Sequence, residues 1–151
     1  MRTALLVVAA AGAVACRSAQ PARPPVEVAR AYLEAARDLD TGAMSALVTA
    51  DATAFEVADE GSFDQYRVAH LQPELDALTS VAMTLGDPAL RESDDGSLTV
   101  VRWPIRRFAM QRSDGSVRET SGAATFVLSP HDGQWRIEHV HWSLRTDLPS
   151  P

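Results

Sequence analysis

The chain has 151 residues, of which 46% are hydrophobic and 23% are charged. This composition excludes a wholly disordered chain and leaves room for one globular domain with a core of its own. The formal net charge of −6 argues against the clustered cationic surface that nucleic-acid binding requires.

The first residues have the pattern of a secretory signal. Arg2 supplies the positive charge, and residues 4–15 form an unbroken run of Ala, Leu, Val and Gly. The run is shorter than the about 20 residues that a membrane-spanning helix needs. It ends at Cys16, the single cysteine, which cannot form an internal disulfide. The sequence therefore predicts a signal peptide over residues 1–16.

The end of this segment, Ala13-Val14-Ala15-Cys16, resembles a bacterial lipobox, in which the cysteine carries the lipid. The resemblance implies a lipid anchor on Cys16. Because Arg17 and not Asp follows, the sorting rule for such lipoproteins implies the outer membrane or the cell surface. The alternative is cleavage near Ala15 without a lipid, which would leave a periplasmic protein. Residues 17–25 are rich in proline and predict an extended tether.

The next segment predicts helices. Pro24 and Pro25 open a stretch with Val28, Tyr32 and Leu39 at helical spacing, which residues 40–42 terminate. A short second helix over 43–48 and a strand-like stretch over 51–58 are expected to follow, with a turn at 59–61.

A further helix is indicated by a capping box. Ser62 is followed three residues later by Gln65, which is the pattern of a helix start. The helix would place Phe63, Tyr66 and His70 on one face. Pro73 is expected to break or kink it, with one or two more helical turns over 73–78.

The remainder predicts a β meander. Three Asp-Gly pairs separate apolar runs, and this dipeptide is a strong hairpin signal. The expected strands are 79–92, 97–112, 117–129 and 134–145. Such long strands must bend, and the natural bend points are residues 86–88 and Pro104.

The last of these strands is the expected centre of the sheet. Strand periodicity divides its side chains into two faces, both with large apolar groups, so both faces should be covered. One face would carry Trp135, Ile137, His139, His141 and Ser143. The other would carry Arg136, Glu138, Val140, Trp142 and Leu144.

Three segments, residues 39–52, 63–75 and 132–143, carry a family resemblance. Together they resemble the SnoaL-like, nuclear transport factor 2-like superfamily. The resemblance implies an α+β cone over residues 26–147, with N-terminal helices packed on a strongly bent antiparallel sheet and a short tail at 148–151. It also implies a homodimer, for which Val140, Trp142 and Leu144 would suit the interface.

This superfamily includes isomerases, dehydratases, cyclases, ligand binders and dimerisation modules, so the fold does not select a function. The first hypothesis is an exported domain, without a cofactor, that binds a small apolar or mixed ligand or acts as a dimeric interaction module. Catalysis is not required by this hypothesis. The expected pocket residues are Tyr32, Phe55, Tyr66, His70, His139 and His141.

Two further hypotheses remain open. A cofactor-independent acid–base enzyme, an isomerase or a hydratase/dehydratase, would use Tyr32 and Tyr66 as donors and a residue from the set His70, His139, Glu56 and Asp59 as the base. A metal binder would use His70, His139 and His141, with an oxygen from Glu56 or Asp51. The simpler alternative is that these histidines are pocket groups bonded to neighbouring backbone and carboxylates.

Overall fold

The computed structural model describes residues 22–56 and 58–145. The signal segment with Cys16, most of the tether and the tail at 148–151 lie outside the described residues. Within the described ranges, no helix combines the length and the apolar character needed to cross a membrane.

The chain begins with helices and continues into strands. The helices are α1 (Pro25–Arg37), α2 (Thr41–Ser45), α3 (Phe63–Tyr66) and α4 (Gln72–Asp76), with a π-helical turn, Arg67–Leu71, between α3 and α4. The strands are β1 (Val48–Phe55), β2 (Asp59–Ser62), β3 (Leu78–Leu85), β4 (Ala89–Glu92), β5 (Thr99–Arg112), β6 (Val117–His131) and β7 (Gln134–Arg145).

These strands form one curved sheet in the order β2-β1-β7-β6-β5-β3, with β4 also paired to β5. The helices pack on its inner face, which confirms the predicted α+β cone. The sheet is mixed and not purely antiparallel, because β1 runs parallel to β7. Parallel neighbours need a long crossover, and here the intervening chain contains α3, α4 and five strands.

The bends lie where proline and glycine interrupt the strands. Residues 86–88 divide the first predicted strand into β3 and β4, and both parts pair with β5. In β5 the register shifts between Ile105 and Phe108, directly after Pro104. A proline cannot donate to the strand ladder, so a bulge and a change of direction at this point are expected.

Helix α1 covers the inner face of the sheet. Its buried side includes Tyr32 and Leu33, which are 0% and 1% exposed. The Tyr32 ring packs edge-on against Phe126 of β6, with centroids 5.4 Å apart, and against Phe63 of α3 at 6.1 Å. The helical stripe read from the sequence is therefore the contact that joins α1 to the sheet.

The predicted capping box is present at the start of α3. Ser62 accepts a hydrogen bond from the backbone N–H of Gln65, whose side chain accepts one from the backbone N–H of Ser62. The turn predicted at 59–61 is wrong, because these residues belong to β2, antiparallel to β1.

Strand β7 is central, between β1 and β6, as predicted. Its side chains do not alternate strictly between the two faces of the sheet, because the pairing with β6 shifts register. Ile137 pairs with Leu128, and His139, two residues later, pairs with the adjacent Val127. This bulge turns Ile137 to the inner face. The outer face, with His139 and His141, is only half-buried in the single chain.

The expected dimer surface is wrong, because two of its residues lie on the inner face of β7. Val140 and Trp142 are 0% and 5% exposed and belong to the core beneath the helices. They cannot contact a second copy of the chain. The homodimer itself stays a prediction.

Candidate functional site

A cavity of about 360 Å³ lies between the helices and the inner face of the sheet. Apolar and polar side chains contribute about equally to its wall. The apolar lining is Ala36, Leu71, Leu75, Phe108, Met110, Trp142 and Leu144. The polar lining is Glu56, Tyr66, His70, Glu74, Arg118, Thr120 and Ser143.

Three side chains of the cavity wall, His70, Glu56 and Glu74, form with the neighbouring Glu60 what we call the His70 cluster. The Nε2 atom of His70 lies 3.7 Å from Oε2 of Glu56 and 3.8 Å from Oε2 of Glu74. Its Nδ1 atom lies 3.6 Å from Oε1 of Glu60. Three carboxylates, one from the bend after β1, one from β2 and one from α4, therefore surround one imidazole.

Glu56 is held by a tyrosine. The hydroxyl of Tyr66 donates a hydrogen bond of 2.8 Å to Oε2 of Glu56. Burial raises the pKa of the Glu56 carboxyl, and the negative charges of Glu74 and Glu60 add to this effect. The Tyr66 hydrogen bond and His70 oppose it.

The two tyrosines near this group are both buried. Burial raises the pKa of the Tyr66 phenol, and so does the negative charge of Glu56. Burial likewise raises the pKa of Tyr32. The Trp142 indole lies close enough to Tyr32 to oppose part of this rise in pKa, but among the described residues neither the Tyr32 hydroxyl nor the Trp142 indole nitrogen makes a hydrogen bond of ordinary geometry. Both phenols remain protonated donors at neutral pH.

Local sequence explains how His70 reaches the cavity. His70 lies in the π-helical turn, and α4 begins immediately after it. Pro73 has no N–H group, so it cannot continue the α-helical bonding pattern of α3. The wider turn places His70 at the cavity wall, with its side chain 32% exposed, while Tyr66 stays buried.

The structure brings some of the predicted site residues together. Tyr66, His70 and Glu56 meet at the cavity wall. Tyr32 lies deeper, fully buried among aromatic side chains, and is not part of the lining. Asp51 is exposed on β1 and lies outside the lining.

The structure does not bring the three histidines together. His139 and His141 lie on the outer face of β7, whereas the adjacent Trp142 lines the cavity. On β1, Thr53 bonds to Nδ1 of His139 at 2.8 Å, and Phe55 packs edge-on against His141. The sheet itself thus separates this pair from His70. Phe55 shares the outer face and is also absent from the cavity lining.

His139 has a different environment from His70. Burial lowers the pKa of His139, and the neighbouring His141 lowers it further, while Asp59 opposes both effects. Asp59 thus acts on the outer face, away from the cavity lining. The neutral imidazole is favoured here, on a surface that the cavity does not reach.

Several lining residues were not predicted from the sequence. Glu74 follows His70 by four residues, a spacing that places two side chains on one helical face and could have identified it. Arg118 and Thr120 pair across the strands with Met110 and Phe108, which also line the cavity. Their position depends on the register of β5 and β6, which no local pattern specifies.

Comparison with protein families matches residues 26–147 to a profile described as a SnoaL-like domain. The chain belongs to the SnoaL-like domain family. The comparison with curated proteins found no match to this SnoaL-like protein.

Solved structures with the same fold are distant in sequence. The SnoaL-like chain is 19% identical to a nuclear transport factor 2-like superfamily protein from Salmonella enterica serovar Typhimurium LT2, with a TM-score of 0.68 over 83% of this chain and 89% of that one. A protein from Shewanella frigidimarina, provisionally named a ketosteroid isomerase, is 20% identical, with a TM-score of 0.67 over 79% and 94%. A protein from Novosphingobium aromaticivorans, provisionally named a scytalone dehydratase, is 14% identical, with a TM-score of 0.68 over 82% and 83%. At these identities the likeness establishes the fold alone.

Proposed function

We propose that this SnoaL-like domain binds one small molecule with an apolar body and a polar end. The observation that carries the proposal is the cavity, whose wall combines apolar side chains with polar groups that include His70, Glu56 and Glu74. Small-molecule sites typically combine an apolar lining with a few convergent polar groups. The cavity volume of about 360 Å³ suits a compact ligand of one or two rings.

The polar groups favour a ligand end that donates a hydrogen bond. Glu56 and Glu74 present carboxylate oxygens to the cavity, and carboxylates only accept when ionised. A hydroxyl or amine on the ligand would satisfy them. The apolar body would lie against Phe108, Met110 and Trp142, where leaving water is favourable.

Binding can be measured with 2-naphthol, a fluorescent probe with an apolar body and one hydroxyl group. Wild-type protein should bind it more tightly than naphthalene, which lacks the hydroxyl. Leu144→Trp places a large ring in the cavity and should abolish binding. Val117→Trp is the matched control, because Val117 is 56% exposed and lies outside the lining. Equal binding by both tryptophan variants, or no binding by the wild type, would contradict the proposal.

A second candidate function is proton transfer beside a carbonyl group, without a cofactor. The contact that favours it is the 2.8 Å hydrogen bond that fixes Glu56 at the cavity wall, where its side chain is 21% exposed. A carboxylate held in an apolar cavity can remove a proton from carbon while the electrons move to the ligand's carbonyl oxygen. The same carboxyl group can return the proton at another position. The provisional isomerase and dehydratase names of two related structures agree with such chemistry.

Proton transfer can be tested with 2-tetralone in deuterium oxide, followed by proton NMR. Protein-dependent loss of the signals beside the carbonyl is expected, and Glu56→Gln should lower its rate at least about 100-fold. Glu92→Gln is the control, because this exposed carboxylate lies on β4, outside the cavity lining. The same exchange rate in wild type and Glu56→Gln would exclude Glu56 as the base.

We also propose that the domain is exported and held at a membrane by a lipid on Cys16. The lipobox-like sequence and the proline-rich tether support this. In the native host, Cys16→Ser should move the protein from the membrane fraction to the soluble fraction. Ser18→Ala, two residues away, should leave it with the membrane. Unchanged partitioning of Cys16→Ser would refute the anchor.

A further inference from the structure

We propose that Glu56, His70 and Glu74 bind one divalent transition-metal ion, such as Zn²⁺, at the wall of the cavity. One donor atom from each residue lies within 4.8 Å of the other two, and all three residues line the cavity. The site goes beyond the proposed ligand binding and can be measured with the metal alone. It also differs from the three-histidine set, two members of which lie across the sheet.

The distances within the cluster fit a shared ion better than direct hydrogen bonds. A hydrogen bond between a charged imidazole and a carboxylate measures about 2.7–2.9 Å. The Nε2 atom of His70 is instead 3.7 Å from Glu56 and 3.8 Å from Glu74. Two donors on one tetrahedral zinc ion lie about 3.4 Å apart, given bonds of about 2.0–2.1 Å. The two distances from Nε2 are within about half an ångström of that value, and the three donor atoms all lie within 4.8 Å of one another.

Outer groups lie beside two of the three donors. The hydroxyl of Tyr66 bonds to the Glu56 oxygen that faces His70, which leaves a second lone pair of that oxygen for an ion. Glu60 lies beside Nδ1 of His70 at 3.6 Å. The negative charge of a carboxylate near Nδ1 favours the tautomer with the proton on Nδ1, which leaves the lone pair of Nε2 for a metal ion; a carboxylate on this side is common around metal-bound histidines.

The backbone and the local charge support the same site. His70 belongs to a π-helical turn, a rare geometry that occurs frequently at functional sites. The turn and α4 bring His70 and Glu74 to one side, where β1 ends near Glu56. Three carboxylates around a single imidazole repel one another, and a divalent cation would offset most of that repulsion.

The donor set selects the class of metal. Calcium and magnesium prefer oxygen ligands alone, whereas an imidazole suits zinc and its transition-metal neighbours. Three protein donors leave a coordination position open, as in catalytic zinc sites. That position would face the cavity. With the ion bound, Glu56 acts as a ligand and is not available as the free base of the second candidate function.

Zinc binding can be measured by calorimetry on the full chain, purified without a histidine tag and freed of metal with a chelator. One ion per chain is expected. Glu74→Gln should weaken binding at least 10-fold and His70→Gln at least 100-fold. Both side chains are about one-third exposed, so circular dichroism should find both variants folded. The matched control is the double variant His139→Gln/His141→Gln, which should bind zinc as the wild type does.

The outcomes separate this site from its alternatives. No stoichiometric uptake, or uptake unchanged by Glu74→Gln and His70→Gln, overturns the proposal. Loss of binding in the His139/His141 double variant places the metal on the outer face and overturns it too. An unchanged circular dichroism spectrum of Glu74→Gln, together with weaker zinc uptake, distinguishes loss of the metal site from loss of the fold. Failure of 2-naphthol binding with intact zinc uptake would reject the ligand and keep the metal site.

Discussion

Replacement of Gly122 by alanine should lower the free energy of unfolding by about 3 kcal/mol or more. A Cβ atom at this position would lie 1.9 Å from the carbonyl oxygen of Ser143 and 2.9 Å from its carbonyl carbon. Both atoms belong to the backbone of β7, so no side-chain rotation relieves the clash. The strands would have to separate where Gly122 pairs with Leu144, a residue of the cavity wall.

Urea unfolding followed by circular dichroism measures this loss. Gly42→Ala is the matched control, because it adds the same methyl group within α2, where the new Cβ would meet only the Asp40 side chain, at 3.3 Å. Alanine is favoured over glycine inside a helix by about 1 kcal/mol. The control should therefore change stability little or raise it slightly. Equal losses in the two variants would contradict the close packing of β6 against β7.

The hairpins were predictable because their signals are local. At the β6–β7 turn, Asp132 and Gly133 have φ angles of 50° and 74°, the positive values that a two-residue turn between twisted strands requires. Asp-Gly is the dipeptide that tolerates them. The segments between successive turns then predict the positions of the strands in the meander.

Two features of the fold have no local signal. In the parallel pairing of β1 with β7, Thr53 lies opposite His139, and no sequence pattern near either residue predicts this pairing. The bulge in β7 likewise depends on how Ile137 pairs with Leu128. Strand alternation alone therefore placed Ile137 on the wrong face, although it identified β7 as the central strand.

The candidate site likewise has one part that the sequence predicts and another that depends on the tertiary fold. Helical spacing placed Tyr66 and His70 together, and both meet Glu56 at the cavity. Alternation showed that His139 and His141 share a face, but it could not say which face. That choice is made by the side on which the helices pack, and Tyr32 packs against Trp142. A residue pattern fixes which side chains are neighbours along an element, whereas the tertiary fold decides what they face.

Replacement of Trp103 by alanine should lower the free energy of unfolding by about 3–5 kcal/mol. Trp103 is 1% exposed at the centre of β5, and its indole N–H donates a hydrogen bond of 2.9 Å to the carbonyl oxygen of Gly86. The guanidinium of Arg30 lies 5.0 Å from the ring centre. The alanine variant therefore opens a cavity and removes the contacts that tie β5 to the bend after β3 and to α1.

Two further substitutions separate these contributions when unfolding is followed by circular dichroism. Trp103→Phe keeps an aromatic ring but loses the hydrogen bond, so its loss should be smaller than that of Trp103→Ala. Trp135→Ala removes the same side chain from the half-buried start of β7 and should also cost less, because less apolar surface returns to water. Should Trp135→Ala cost as much as Trp103→Ala, the core would not be centred on β5 beneath α1. If only Trp103→Ala lowers the free energy of unfolding, the Trp103 indole is the main contact that stabilises the packing of α1 on the sheet.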